Sequence, residues 1–386
     1  MLCIKNGTIY DAVSREPYIS DILVENGKII AIGKDLEIDE DCNVIDATGR
    51  NVYPGLVEAH THLGLDVYGI GFEGNDYNEL TDILTPQLRA IDAINPMDEA
   101  IHLAALGGVT CVATGPGSSN VLGGTFAAIK TDAKGNNYRI DNMIVKEAIG
   151  MKCAFGENPK RCYKDKDNYS RMSTAFKLRD MLRKAKQYKE KLEWAGNDIG
   201  KRPKYDGKLE ALLPVLNKEI PLKAHAHRAD DIFTALRIAK EFDVNITIEH
   251  GTEGHLVAEE LGKEKIFVAV GPTMTHATKY ELRNKSFETP AVLKKAGCHV
   301  SIITDSPVIP QHYLGMCAGL AVKAGMDPFD ALQAITINPA RHIGIEHRVG
   351  SLEVGKDADI VITNGSIFES LTNVLYTIID GREIEK

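Results

Sequence analysis

Between residues 53 and 347 the chain repeats one unit, a short β-prone apolar run next to a helical pattern. Val109–Ala113 follows Pro96–Leu106. Leu222–His227 precedes Asp231–Phe242, Asn245–His250 precedes Thr252–Leu261, and His299–Thr304 precedes Ala318–Ala324. Pro328 after Asp327 opens a further helix, since proline at the first helical position gives up no intrahelical bond. Strands alternating with helices predict an α/β fold with a parallel sheet, and a (β/α)8 TIM-like barrel matches the length. No glycine-rich dinucleotide fingerprint follows a strand to favour an open doubly wound sheet.

The two ends have a different texture. Asn6-Gly7 and Asn26-Gly27 sit between short β-prone runs near the N-terminus, and Asn364-Gly365 and Asp380-Gly381 do the same near the C-terminus. Asn-Gly and Asp-Gly between such runs signal hairpins. The expectation is a small β-sandwich domain formed by both termini, residues 1–52 and 348–386, with the barrel of residues 53–347 inserted between them.

The net charge of −9 argues against nucleic acid or an anionic membrane as the partner and leaves a small-molecule substrate. No apolar run is long enough to span a bilayer, and the first residues lack a signal-peptide pattern. The seven cysteines are odd in number and contain no Cys-x-x-Cys, so neither a disulfide framework nor a thiolate zinc cage is indicated. A reducing cytoplasm is the expected location.

Chemistry-bearing residues gather at strand ends. The segment Pro54-Gly-Leu-Val-Glu-Ala-His-Thr-His62 places two histidines at a spacing that puts both on one face of a strand. Alone, such a pair is common by chance. Three further runs end in the same kind of residue: His225 and His227, then His250, then Asp305. In a barrel, strand C-termini share one mouth. Neutral imidazoles with a carboxylate suit zinc, and also manganese, iron or nickel.

With these residues in view, the chain resembles the amidohydrolase superfamily, in its imidazolonepropionase-related, prolidase-like branch. The resemblance rests on Pro54–His62, on Ile248-Glu-His-Gly-Thr252, on Thr304-Asp305, and on Ala334-Ile-Thr-Ile-Asn-Pro-Ala-Arg341 followed by Val349-Gly-Ser-Leu-Glu-Val-Gly-Lys-Asp-Ala-Asp-Ile360. It implies metal ligation by His60 and His62 from the first strand, His225 from the fifth, His250 from the sixth and Asp305 from the eighth. Period-two geometry leaves His225 and His227 open; the resemblance selects His225 and makes His227 a substrate contact. Many members bridge two metals with a carboxylated lysine on the fourth strand, for which Lys152 is the candidate here; as an ordinary lysine it would leave a mononuclear site. The implied cofactor is a divalent metal, zinc first, one or two per chain, and the implied assembly a homo-oligomer.

The implied reaction is hydrolysis of a carbon–nitrogen bond of an amide, lactam or peptide-like small molecule, with Asp305 as general base and His276 donating to the substrate carbonyl. Arg228, Lys279 and Arg283 lie after strand ends and could hold a substrate carboxylate. The stretch Gly69–Asn95 is a candidate lid, and the basic run Lys177–Lys191 a solvated face or an insertion over the pocket. His102, His255, His299, His312, His342 and His347 read as structural. Two alternatives stand beside this: a ring deaminase, which would want a glutamate where Arg228 stands, and a non-catalytic scaffold, which would be expected to have lost metal ligands.

Overall fold

The computed structural model describes residues 1–68 and 71–385; Gly69, where the candidate lid begins, and Ile70 lie outside the described residues. The N-terminal strands are β1 (Leu2–Ile9), β2 (Tyr18–Glu25), β3 (Lys28–Gly33), β4 (Asn43–Asp46) and β5 (Asn51–Pro54). The barrel wall is β6 (Leu56–Thr61), β7 (Val109–Thr114), β8 (Leu122–Lys130), β9 (Ile144–Ala154), β10 (Leu222–Ala226), β11 (Ile246–His250), β12 (Phe267–Val270) and β13 (His299–Ile302). The chain ends in β14 (Ile360–Thr363), β15 (Val374–Ile379) and β16 (Arg382–Glu383).

Strands from both ends share one hydrogen-bonded sheet. Its order is β16-β15-β14-β5-β1-β2-β3, with β4 paired to β1. The seam between the two ends is the antiparallel pair of β14 and β5, with Val361 opposite Tyr53. This sheet keeps its own core, including Ile4, Ile22, Val24, Ile29, Ile360 and Ile378.

The other eight strands follow one another in sequence order, β6 to β13. All neighbours are parallel except β8, which runs antiparallel to both β7 and β9. The expected (β/α)8 pattern therefore departs at this strand. The cause is chain length: only residues 115–121 join β7 to β8, too few for the dozen or more residues a parallel crossover needs. Among the described residues no ladder joins β13 to β6. The gap is nearly closed by hydrogen bonds instead, from His62 N to Ser306 O at 2.8 Å, from Thr61 Oγ1 to Ser306 O at 3.2 Å and from Thr304 N to Glu58 Oε2 at 2.9 Å. These clamp the residues on either side of Asp305 to the strand that carries His60.

The basic run Lys177–Lys191 lies within a 25-residue helix, Arg171–Ala195, opened by a Ser170–Ser173 capping box. Its inner face, including Leu178, Met181, Leu182 and Ala185, packs into the core shared with β9, β10 and β11. The helix is thus an insertion between β9 and β10 with one buried face. No helix among the described residues is long and apolar enough to cross a membrane, and all seven cysteines are free.

Candidate metal centre

The site is assembled from strand ends. His60 comes from β6 and His62 lies just beyond it; His225 is on β10, with His227 just past its end; His250 ends β11 and Asp305 follows β13. His60, His62 and Asp305 bring three donor atoms within 4.8 Å of one another, and so do His225, His227 and His250. The two triads are adjacent: the His60 and His250 rings lie 5.2 Å apart, and Asp305 Oδ2 is 3.9 Å from His250 Nδ1. Asp305 Oδ1 is 3.4 Å from His62 Nε2 and 3.7 Å from His60 Nε2. His250 and Asp305 both adopt left-handed backbone, with φ of 75° and 54°. Such conformations cost about 1–3 kcal/mol at non-glycine residues and are tolerated where the surroundings over-determine them.

Each imidazole is held from behind. His62 Nδ1 meets Gly115 O at 2.7 Å and His250 Nδ1 meets Gly271 O at 2.8 Å. A carbonyl only accepts, so Nδ1 carries the proton and Nε2 presents a lone pair. His60 Nδ1 lies 3.0 Å from Glu249 Oε2, without a hydrogen bond of good geometry. Ser118 Oγ and Thr252 Oγ1 hold Nδ1 of His225 and His227 at 2.8 and 2.7 Å. Burial drives His60, His225 and His227 well below the ordinary histidine range and His250 down to about 4, so these rings are neutral at pH 7. Burial also opposes the charged form of Asp305, and it is the rings of His250 and His62, when they carry charge, that draw its carboxyl below the usual range.

Lys152, on β9, is fully buried with Nζ 3.1 Å from His60 Nε2. Burial pushes its ammonium down to about 8. The mouth therefore joins all five histidines of the two triads, Asp305 and Lys152. Lys279 reaches it through Glu281, at 2.7 Å, and also touches Asn158 at 3.0 Å. Arg228 and Arg283 meet on the exposed ring of Tyr280, at 6.0 and 4.3 Å from its centroid, and Arg228 is further paired with Asp230. His276 is exposed on the loop after β12 and enters no hydrogen bond or ion pair among the described residues.

Several groups at the mouth escaped the sequence reading. Glu249 is fully buried behind His60, where Lys223 at 3.0 Å, His342 at 3.1 Å and Thr247 at 2.6 Å all meet its Oε1. His342, read as structural, thus belongs to the support of a site histidine. Glu58 receives Thr304 and Gln311, each at 2.9 Å. The available signal was charge in the middle of apolar strands: Glu58, Lys223 and Glu249 interrupt runs that are otherwise buried, where charged residues are rare unless paired.

The model of the Amidohydrolase family matches residues 189–384, just over half of the chain. A solved amidohydrolase from Thermotoga maritima superposes with a TM-score of 0.95 at 42% identity, covering 100% of both chains. Amidohydrolase tasK of Hapsidospora irregularis is 28% identical over 89% of this chain, and the chain spans only 38% of that protein's length. An imidazolonepropionase of Geobacillus kaustophilus is 26% identical, over 89% of this chain and 83% of its own. A family match across half of the sequence and a full-length likeness at 42% identity establish that the chain belongs to the amidohydrolase family.

Proposed function

We propose that the protein is a metal-dependent hydrolase of a carbon–nitrogen bond, amide, lactam or peptide-like, in a small molecule. The observation that carries this reading is the convergence of buried, outward-facing donor atoms at one barrel mouth. Among the described residues His225 Nε2, His250 Nε2 and Asp305 Oδ1 have no hydrogen-bond partner, although buried polar atoms almost always have one. Neutral imidazole nitrogens and carboxylate oxygens fit a divalent cation, zinc foremost. His60, His62, His225, His250 and Asp305 would hold it, with Lys152, carboxylated on Nζ, bridging a second ion. Burial favours the neutral amine that carboxylation requires. The metal, when bound, would supply Lewis-acid activation of water and of the carbonyl under attack.

The remaining roles fall to the protein. Asp305 accepts the proton of the attacking water and returns it to the departing nitrogen. The clamp between Ser306 and β6 fixes its position relative to His60 and His62. Lys279, with Arg228 and Arg283 at the rim, attracts a substrate carboxylate, His227 contacts the substrate, and His276 donates to the carbonyl from its loop.

The test is elemental analysis of protein purified without chelator, followed by a turnover screen of N-acyl amino acids, dipeptides and cyclic ureides. At least one divalent ion per chain and turnover lost on chelation are expected. Metal well below one per chain after loading would overturn the proposal in favour of a non-catalytic scaffold.

A further inference from the structure

Beside the metal centre the structure holds a recess of about 250 Å³. It lies where β6 meets the residues after β13, between residues 63–68, the helix Glu99–Leu106 and residues 306–312. His62 and Ser306 both line it, so it borders Asp305. Sites for whole drug-sized ligands run to roughly 300–1,000 Å³, so this recess is sized for one side chain of a substrate held at the mouth.

Most of its wall is apolar: Leu63, Val67, Ala100, Leu103, Pro307 and Pro310. Two polar groups break that surface, and both are acceptors. The backbone N–H of Asp66 donates to His62 O at 3.2 Å, but its carboxylate enters no hydrogen bond or ion pair among the described residues. Burial raises this carboxyl by more than His62 lowers it, and Asp98 adds to the rise. Gln311 is 2% exposed, and its Nε2 donates to Glu58 at 2.9 Å, which leaves Oε1 as an acceptor. Among the described residues that buried oxygen has no partner. No lysine or arginine lines the recess, again among the described residues, and burial holds His312 on its wall below the ordinary histidine value.

An apolar sleeve with an unpaired carboxylate, an orphaned amide oxygen and no cation is complementary to an alkyl chain that ends in a protonated donor. An ammonium brings three N–H donors and a guanidinium five. An apolar chain would leave both acceptors unmatched, and an acidic one would add like charge to Asp66 and Asp98.

We propose that the recess takes a basic side chain of the substrate, alkylammonium or alkylguanidinium, and that Asp66 selects it. This rests on the reading of the mouth as a hydrolytic metal centre and narrows its substrate class. Lys279 sits by Glu281, His225 and His227, on the side of β10, four strands from β6 in the sheet order. A carboxylate and a basic group of one substrate are thus received on different sides of the mouth.

The test uses zinc-loaded protein and two readouts. The first is kcat/KM on N-acetyl amino acids and dipeptides that carry lysine, arginine, norleucine or glutamate. Wild type should favour lysine and arginine over norleucine by about 10–100-fold, the usual effect of a charge-assisted hydrogen bond, with glutamate lowest. Asp66→Asn should remove that preference, chiefly through KM, while metal content and circular dichroism stay close to wild type. The second readout is the unfolding midpoint in the presence of n-butylguanidinium, a cation too basic to ligate metal. The midpoint should rise in wild type, and the rise should be absent in Asp66→Asn and in Leu103→Trp, which fills the sleeve. Equal use of lysine and norleucine by wild type, an equal loss on all four side chains in Asp66→Asn, or the same butylguanidinium shift in wild type and Asp66→Asn would overturn this inference alone. A protein that holds no metal and hydrolyses nothing in the panel would instead remove the reading on which it rests, and the butylguanidinium shift would then decide by itself whether the recess takes a basic group.

Discussion

At the scale of single residues, donor type and backing decide the site. Asp305→Asn removes the proton acceptor but keeps shape and an acceptor oxygen. Turnover should fall by roughly 10²–10⁴-fold, the usual worth of a general base, while metal content measured on the same preparation stays close to wild type. Glu249 does not face the mouth; its Oε2 lies 3.0 Å from Nδ1 of His60, and its Oε1 is pinned by Lys223 and His342. Glu249→Gln should weaken metal retention by about 10–100-fold, read as the chelator concentration that strips half the ions, because such backing groups orient the ring and raise its basicity. That His60, His62, His225, His227, His250 and Asp305 meet at one mouth was legible because each lies at the end of an apolar strand and strand ends share a mouth, although strand position alone did not separate His225 from His227. Glu281, which lies 4.0 and 3.8 Å from His225 and His227, was not legible, because it sits on a loop turn whose direction no periodicity reports.

At the scale of elements, the barrel is regular where the sequence has room for crossover helices and irregular where it does not. The connection from β7 to β8 is short, so β8 reverses, and the loop it leaves at the mouth supplies Gly115 and Ser118 behind His62 and His225. The strand rhythm was legible; the reversal was not, because an apolar run reads the same in either direction. A second device follows β6. Asp98 caps the helix Glu99–Leu106 through Ala100 N at 3.1 Å and also receives Gly64 N at 3.2 Å and Tyr68 N at 3.1 Å. Asp98→Ala should cost about 1–2 kcal/mol in denaturant unfolding, at the upper end for a lost cap because two further backbone donors lose their acceptor.

At the scale of the whole molecule, one buried lysine fastens the barrel to the terminal sheet. Lys130, at the end of β8, reaches Asp359 at 2.7 Å, Asp380 at 3.0 Å and Asp357 at 3.1 Å, three carboxylates that flank β14 and β15. Lys130→Met leaves Asp359 buried without its cation, while Asp357 keeps Lys28 and Arg348, and should cost about 3–5 kcal/mol of unfolding free energy. The same cluster gives a pH dependence. Burial raises Asp357, but Lys130, Lys28 and Arg348 outweigh it and its carboxyl is held below the ordinary value. A carboxyl lowered in the folded state contributes stability above its unfolded pKa of about 3.9, and that contribution disappears as pH falls through the folded value. Unfolding midpoints should therefore drop below about pH 4, and less steeply in Asp357→Asn. That both ends of the chain share one sheet was legible from their hairpin signals. The lysine that locks it was not, since only the fold brings position 130 beside positions 357–380.

The central claim is that side chains from distant parts of the sequence grip a divalent cation at one barrel mouth. Anomalous diffraction at the zinc edge from crystals of the zinc-loaded protein tests it most directly. The account predicts a peak at this mouth within bonding distance, about 2.0–2.2 Å, of donor atoms among His60, His62, His225, His250 and Asp305. A saturated crystal with no anomalous density at this mouth would contradict it.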